Sequence, residues 1–167
     1  MRTVKISLDT NCMISLFSPE EEMYPYMYCI DQMRWMGKVR FYISLKVIAE
    51  LSDQGGIALD FAMSLPKLPS YPVCNFDDQV GTFDDAAGTW DDAENNEKLR
   101  PKIRYNVSRK SDVRDVQIFI DTYQSDINIF LTNDGKFHRS EPSERLMKEF
   151  GIEAISPKDF LSRNICA

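Results

Sequence analysis

Two short segments at opposite ends of the chain, Leu8-Asp9-Thr10-Asn11 and Leu131-Thr132-Asn133-Asp134, each place an aspartate just past an apolar run. Val4-Lys5-Ile6-Ser7-Leu8 precedes the first and Ile127-Asn128-Ile129-Phe130-Leu131 the second, both with the composition of short buried strands. In a parallel α/β sheet, ligands bind beyond the carboxyl ends of the strands. Two carboxylates delivered there from distant parts of the chain repel each other unless positive charge sits between them. A divalent cation is the simplest such charge, and hard carboxylate oxygens suit Mg²⁺ or Mn²⁺ with water completing the shell. One or two such ions can orient a water and offset developing negative charge.

Other acids fall where they could join such a site. Glu50 sits in the hydrophobic turn Val47, Ile48, Leu51 of a helix capped by Ser44, either at its rim or drawn inward to a partner. Asp112 and Asp115 open a helix expected over Val113–Tyr123, which presents Val116, Ile118, Phe119, Ile120 and Tyr123. Acids in a first turn also serve simply to compensate the helix dipole, and Ser111 can cap there. The only histidine, His138, is an isolated loop residue expected at the surface. No Ser-His-Asp or Cys-His set can be built, and no P-loop glycine motif is present.

The elements that must position these groups alternate: strand, helix, strand, helix, an irregular middle, then helix, strand, helix, strand, helix. Alternation of this kind predicts an α/β fold, three-layer α/β/α with a central mainly parallel sheet. The 167 residues, 43% hydrophobic and 28% charged, suit one soluble domain. Ser18-Pro19-Glu20-Glu21 predicts a helix start with Ser18 as cap and Glu21 closing a capping box. The stripe that follows, Met23, Tyr26, Met27, Ile30, Met33 and Trp35, suits core packing or a homodimer face. Arg40-Phe41-Tyr42-Ile43 reads as the second strand, and a further helix runs from Ile57 to Leu65 before Pro66. No apolar run reaches membrane length, and Met1-Arg2-Thr3-Val4-Lys5 leads straight into a strand, so a cytoplasmic protein without signal peptide is expected. Cys12, Cys29, Cys74 and Cys166 are scattered, which suits reduced thiols, mostly buried.

Charge is distributed unevenly. The net charge is −6, yet residues 77–97 hold eight acids (Asp77, Asp78, Asp84, Asp85, Asp91, Asp92, Glu94, Glu97) and no Lys or Arg. The remainder carries 20 basic against 18 acidic residues. The acids belong to three tandem heptads starting at Phe76, Phe83 and Trp90, each an aromatic followed by two aspartates. Three copies are too short for a solenoid, so an acidic insertion at about 76–97, solvated and packed back by its aromatics, is expected within a single domain over 1–167. Immediately after it come Lys98, Arg100, Lys102, Arg104, Arg109, Lys110 and Arg114, with Asp112 the one acid among them. That basic run flanks the carboxylates, where Arg104, Arg109 and Lys110 suit phosphate contacts.

Taken in order, Ile6-Ser7-Leu8-Asp9-Thr10-Asn11, Ala49-Glu50-Leu51, Asp115-Val116-Gln117-Ile118 and Thr132-Asn133-Asp134-Gly135-Lys136-Phe137 resemble the landmarks of the PIN-domain nucleases. Those are an Asp ending strand one, a Glu on an early helix, an Asp opening a later helix, and a T-N-D-x-x-F segment. Gly151 to Leu161 is similar to the family's final strand and helix. The resemblance spans residues 3–65 and 107–162, leaving the acidic repeat without a counterpart. It implies that Asp9, Glu50, Asp115 and Asp134 bind Mg²⁺ or Mn²⁺, with Asp112 replacing or assisting Asp115 according to helix phase. Asn11 and Thr132 would be polar supports for ligand or substrate. The implied activity is an endoribonuclease acting on single-stranded or structured RNA. The family's best-known bacterial role is the toxin of a toxin–antitoxin pair, although this chain is longer than the compact toxins, so an antitoxin or regulator is an expected partner. Two rivals come from other classes: a catalytically idle PIN fold that binds RNA or protein, and phosphoryl transfer through Asp9. Asn11 in place of an acid weakens the second. A solvated insertion predicts that deleting 76–96 leaves RNA affinity unchanged; tighter binding in a filter-binding titration would instead show that the repeat competes with nucleic acid.

Overall fold

Among the described residues, each strand is followed, in register, by a short oxygen-bearing side chain, and that row marks the carboxyl edge of the sheet. The computed structural model describes residues 3–69, 90–106 and 113–165, apart from the side chains of 90–97, 113, 114, 164 and 165. Four strands, β1 (Val4–Leu8), β2 (Val39–Ile43), β3 (Ile129–Leu131) and β4 (Glu153–Ile155), form an all-parallel sheet in the order β2-β1-β3-β4. The helices among the described residues are α1 (Thr10–Leu16), α2 (Tyr24–Trp35), α3 (Leu45–Ser52), α4 (Ile57–Ser64), α5 (Trp90–Asn106), α6 (Val113–Gln124), α7 (Gly135–His138), α8 (Ser140–Phe150) and α9 (Pro157–Ile165). Leu8 pairs with Ile43 and with Leu131, and Leu131 pairs with Ile155. The next residues, Asp9, Ser44, Thr132 and Ser156, therefore form a buried polar row along the carboxyl edge. Each satisfies a backbone amide of the chain that leaves its strand: Asp9 takes Thr10 N, Ser44 takes Lys46 N, Thr132 takes Asp134 N and Ser156 takes Asp159 N. Short side chains with an oxygen acceptor are what a helix start needs.

The order of the strands places a crevice at two of these positions. β1 connects outward to β2, and β3 connects outward to β4 on the other side. Right-handed crossovers in opposite directions put their helices on opposite faces, and a crevice opens at the switch point beyond β1 and β3. The contacts agree, since α2 packs on α1 and α9, whereas α5 packs on α6 and α8. β1 is covered on both sides, with Ile6, Ser7 and Leu8 all fully buried, as a central parallel strand must be. The Ser7 hydroxyl is satisfied there by Thr122 Oγ1 at 2.7 Å.

One aromatic cluster ties α6 to the rest of the site-bearing elements. The Phe119 ring lies 5.9 Å from Phe130 on β3, 6.1 Å from Phe137 on α7 and 5.7 Å from Phe150 on α8. Phe137, last residue of the T-N-D-x-x-F segment, is thus a core residue.

Several expectations need correction. No helix starts at Ser18: Ser18 and Glu21 make one turn, with Glu21 N donating to Ser18 O, and α2 begins at Tyr24. Pro25 is the reason, because a helix already running through it would lose an amide and meet the carbonyl of Glu21. Of the stripe, Met27 and Ile30 are core, whereas Trp35 is 73% exposed. The middle of the chain is not wholly irregular, since α5 is helical from Trp90 through Pro101 to Asn106. Cys12 is buried but Cys29 is exposed. His138 ends α7 half-buried, with its Nε2 3.3 Å from Asn133 O. The first two heptads, Asp112, Arg109, Lys110, Cys74 and Cys166 lie outside the described residues. No helix among the described residues is long and apolar enough to cross a membrane. Because Phe119 is fully buried against three rings, Phe119→Ala should cost about 3–5 kcal/mol in urea denaturation; a loss below about 1 kcal/mol would show that the cluster does not anchor α6.

Candidate functional site

Asp9 is the first residue past β1, and its backbone N–H still belongs to the sheet, donating to Leu131 O at 3.0 Å. Its side chain turns into the switch point and is only 6% exposed. Oδ1 accepts from Thr10 N and Oδ2 from Thr132 Oγ1, each at 2.7 Å. Thr132 Oγ1 in turn accepts from Asp134 N at 3.0 Å. The hydroxyl proton is thereby committed to Asp9, so the carboxylate has one orientation. Burial nevertheless pushes its pKa up from 3.8 to about 7, against the two hydrogen bonds and with help from the negative charges of Asp115 and Glu50. Cys12 lies beneath it, and burial together with the Asp9 charge pushes that thiol well above its usual range.

Three elements bring carboxylates to one open cleft of about 350 Å³ lined by Asp9, Thr10, Asn11, Ile14, Glu50, Asp53, Gln54 and Asp115. β1 delivers Asp9, α3 delivers Glu50 and the first turn of α6 delivers Asp115. The Thr10 hydroxyl donates to Glu50 Oε2, linking α1 to α3. Four carboxylates and no basic side chain face the cleft among the described residues. Such a surface repels anions and draws cations.

Asp9, Glu50 and Asp115 are therefore brought together as the sequence suggested, and Asn11 joins them at the exposed start of α1. Asp134 is not: its carboxylate caps α7 through Lys136 N at 2.8 Å and pairs with Lys136 Nζ at 3.3 Å. Thr132 is fully buried and supports Asp9 without facing the cleft. Arg104 lies half-buried in the last turn of α5 and is not among the residues that line the cleft. Sequence reasoning overlooked Thr10, Asp53 and Gln54. Asp53 caps the C-terminal end of α3 and Gln54 follows it, just beyond the turn that carries Glu50.

A second buried carboxylate was also overlooked. Asp121 on α6 is fully buried, accepts from Ser44 Oγ at 2.5 Å and from Gln117 Nε2 at 2.9 Å, and has its pKa raised to about 6 by burial.

The implied Mg²⁺ or Mn²⁺ can be tested against these donors. Carboxylate and amide oxygens are the hard ligands such ions take, and a cation would offset the burial and repulsion that keep Asp9 near neutrality. As the side chains stand, no group of three His, Cys, Asp or Glu among the described residues is gathered closely enough to hold an ion. Glu50 is engaged by Thr10, so an ion must compete for it. The donor chemistry fits; a closed ligand shell is not formed. Among known proteins, no family model matches the chain and no curated protein matches it significantly.

Both raised pKa values lie above the 3.8 of an ordinary aspartate, so the folded protein holds protons that the unfolded chain releases. The resulting stability is complete below about pH 4 and is lost as pH rises through about 6 and 7. The metal-free protein should accordingly melt at a lower temperature at pH 8 than at pH 5, and Asp9→Asn should flatten that slope. Parallel melting profiles for variant and wild type across this range would contradict the assignment.

Proposed function

We propose that the protein is a Mg²⁺- or Mn²⁺-dependent endoribonuclease with a PIN-like, three-layer α/β/α fold, hydrolysing RNA phosphodiester bonds in the carboxylate cleft. The observation that supports this most is the convergence of Asp9, Glu50 and Asp115, distant in sequence, on one open cleft at the switch point. Together with the order of motifs along the chain, that placement favours a metal-dependent nuclease over phosphoryl transfer, where a single aspartate would need an acidic neighbour at position 11.

When bound, a hard divalent ion supplies positive charge for the phosphate and activates water. The protein's own residues do the rest. Thr132 and Thr10 N hold the Asp9 carboxylate in one rotamer, which saves reorganisation at the moment of reaction. Glu50 and Asp115 flank it from α3 and α6. The exposed Asn11 amide can donate to a phosphate or ribose oxygen. Because the lining lacks basic side chains, the flanking phosphates need counter-charge from outside it, and Arg104, Arg109 and Lys110 are assigned that role. His138, tied to Asn133 O, takes no part as a base.

A second reading, a PIN-fold module that binds RNA or protein without cutting, is favoured by Asp134, whose carboxylate is spent on α7 and Lys136. Cleavage of labelled single-stranded RNA separates the two. With Mn²⁺, wild type should cut and a chelator should stop it, whereas Asp9→Asn and Asp115→Asn should each lose on the order of 10²-fold or more while staying folded. Asp134→Asn should keep most of the activity, since asparagine caps a helix as well. Undiminished cutting by Asp9→Asn would sink the nuclease assignment; binding without turnover by every form would favour the idle module.

A further inference from the structure

Asp121 is outside the cleft and touches none of its lining residues through the hydrogen bonds described, yet it is a carboxylate with no solvent exposure at all. Its surroundings explain why it is an acid. The Ser44 hydroxyl accepts from Lys46 N at 3.1 Å, which leaves its proton for Asp121 Oδ2 at 2.5 Å. Gln117 presents its Nε2 to Asp121 Oδ1 at 2.9 Å, because its Oε1 faces Arg100 Nη2 at 3.4 Å. Two donors thus converge on residue 121 from different elements. A carboxylate accepts from both at once; with asparagine the Ser44 hydroxyl would have to turn its proton away and accept from the amide, and an apolar residue would leave both donors unsatisfied.

The placement of this bond matters for the cleft. Ser44 precedes α3 and lies six residues before Glu50, while Asp121 lies six residues after Asp115 on α6. Six helical residues rise about 9 Å. The two helices contact each other; Ser44 meets Asp121 at one end, and Glu50 and Asp115 line the same cleft at the other. They therefore run past one another in opposite directions, pinned at one end by a buried hydrogen bond and carrying an acid at the other, on arms of equal length.

We propose that Asp121 is a positioning residue: by holding Ser44 it fixes α3 against α6 and so sets how Glu50 and Asp115 face each other across the cleft. The consequence for cation binding rests on the role given to those two carboxylates above. Loss of the bond frees the start of α3 to shift, and equal arms carry that shift to Glu50.

The test is the affinity for Mn²⁺ alone, measured calorimetrically at a temperature where circular dichroism shows every variant folded. Asp121→Asn and Ser44→Ala should each weaken binding by about tenfold. Ser44→Thr, which keeps the hydroxyl, should restore it, and the Ser44→Ala/Asp121→Asn pair should cost no more than the larger single effect. A bond that merely stabilised the fold would lower the melting temperature of both variants and leave their Mn²⁺ affinity at the wild-type value, which would overturn the inference. If wild type and Asp9→Asn alike take up no Mn²⁺, the cation reading fails instead, and a crystal structure of Asp121→Asn or of Ser44→Ala decides the positioning. Glu50 displaced relative to Asp115 upholds it, and superimposable acids overturn it.

Discussion

A carboxylate buried at the switch point of a parallel sheet is costly, and most of what surrounds Asp9 can be understood as meeting that cost. Both its oxygens are hydrogen-bonded, one by the first amide of α1 and one by Thr132 at the end of the neighbouring strand. Desolvation still outweighs them and lifts the pKa to about 7. Evolution of a purely structural helix cap would not need this, because a serine at the same place caps without charge, as Ser44 and Ser156 do on the flanking strands. The acid stands where three other elements also spend oxygen-bearing side chains, and only here does it face a cleft with further acids. Strain of this electrostatic kind is characteristic of sites that await a charged ligand.

The sheet and the helices share the task of holding the acids at fixed separations. In-register strand ends place Asp9 and Thr132 side by side, so the Asp9 rotamer is a property of the sheet. The separation of Glu50 from Asp115 is a property of α3 and α6, and the buried Ser44–Asp121 bond, with the Lys46 charge beside it, is a polar contact that joins those two helices. The stack of Phe119 on Phe130, Phe137 and Phe150 then locks α6 to β3, α7 and α8. Asp9 is thus held by the sheet, whereas Glu50 and Asp115 share one support in the contact between α3 and α6.

Much of this was legible in the residues. β1, β2, the Ser44 cap, α4 and α6 follow from local pattern, and the last strand and helix from the resemblance over Gly151 to Leu161. The convergence of Asp9, Glu50 and Asp115 followed from motif order. What failed did so where two local signals compete. Ser18-Pro19 looks like a helix start until Pro25 forbids continuation, and the stretch expected to be irregular ends in α5, which runs through Pro101. Asp121 was hidden because an acid among Ile118, Phe119 and Ile120 has no meaning until Ser44, distant in sequence, is seen to donate to it. Asp134 shows what motif order leaves open: its place in a motif suggests a ligand, and the fold pairs its carboxylate with the adjacent Lys136.

The most direct test of the central claim, that this cleft exists to hold a divalent cation among its carboxylates, is an anomalous difference map from crystals of the protein equilibrated with Mn²⁺. A peak is expected within coordinating distance of Asp9 and of Asp115 or Glu50, with Glu50 released from Thr10 wherever it serves as a ligand. A fully described cleft with no Mn²⁺ peak at saturating concentration, and Glu50 still bonded to Thr10, would contradict it.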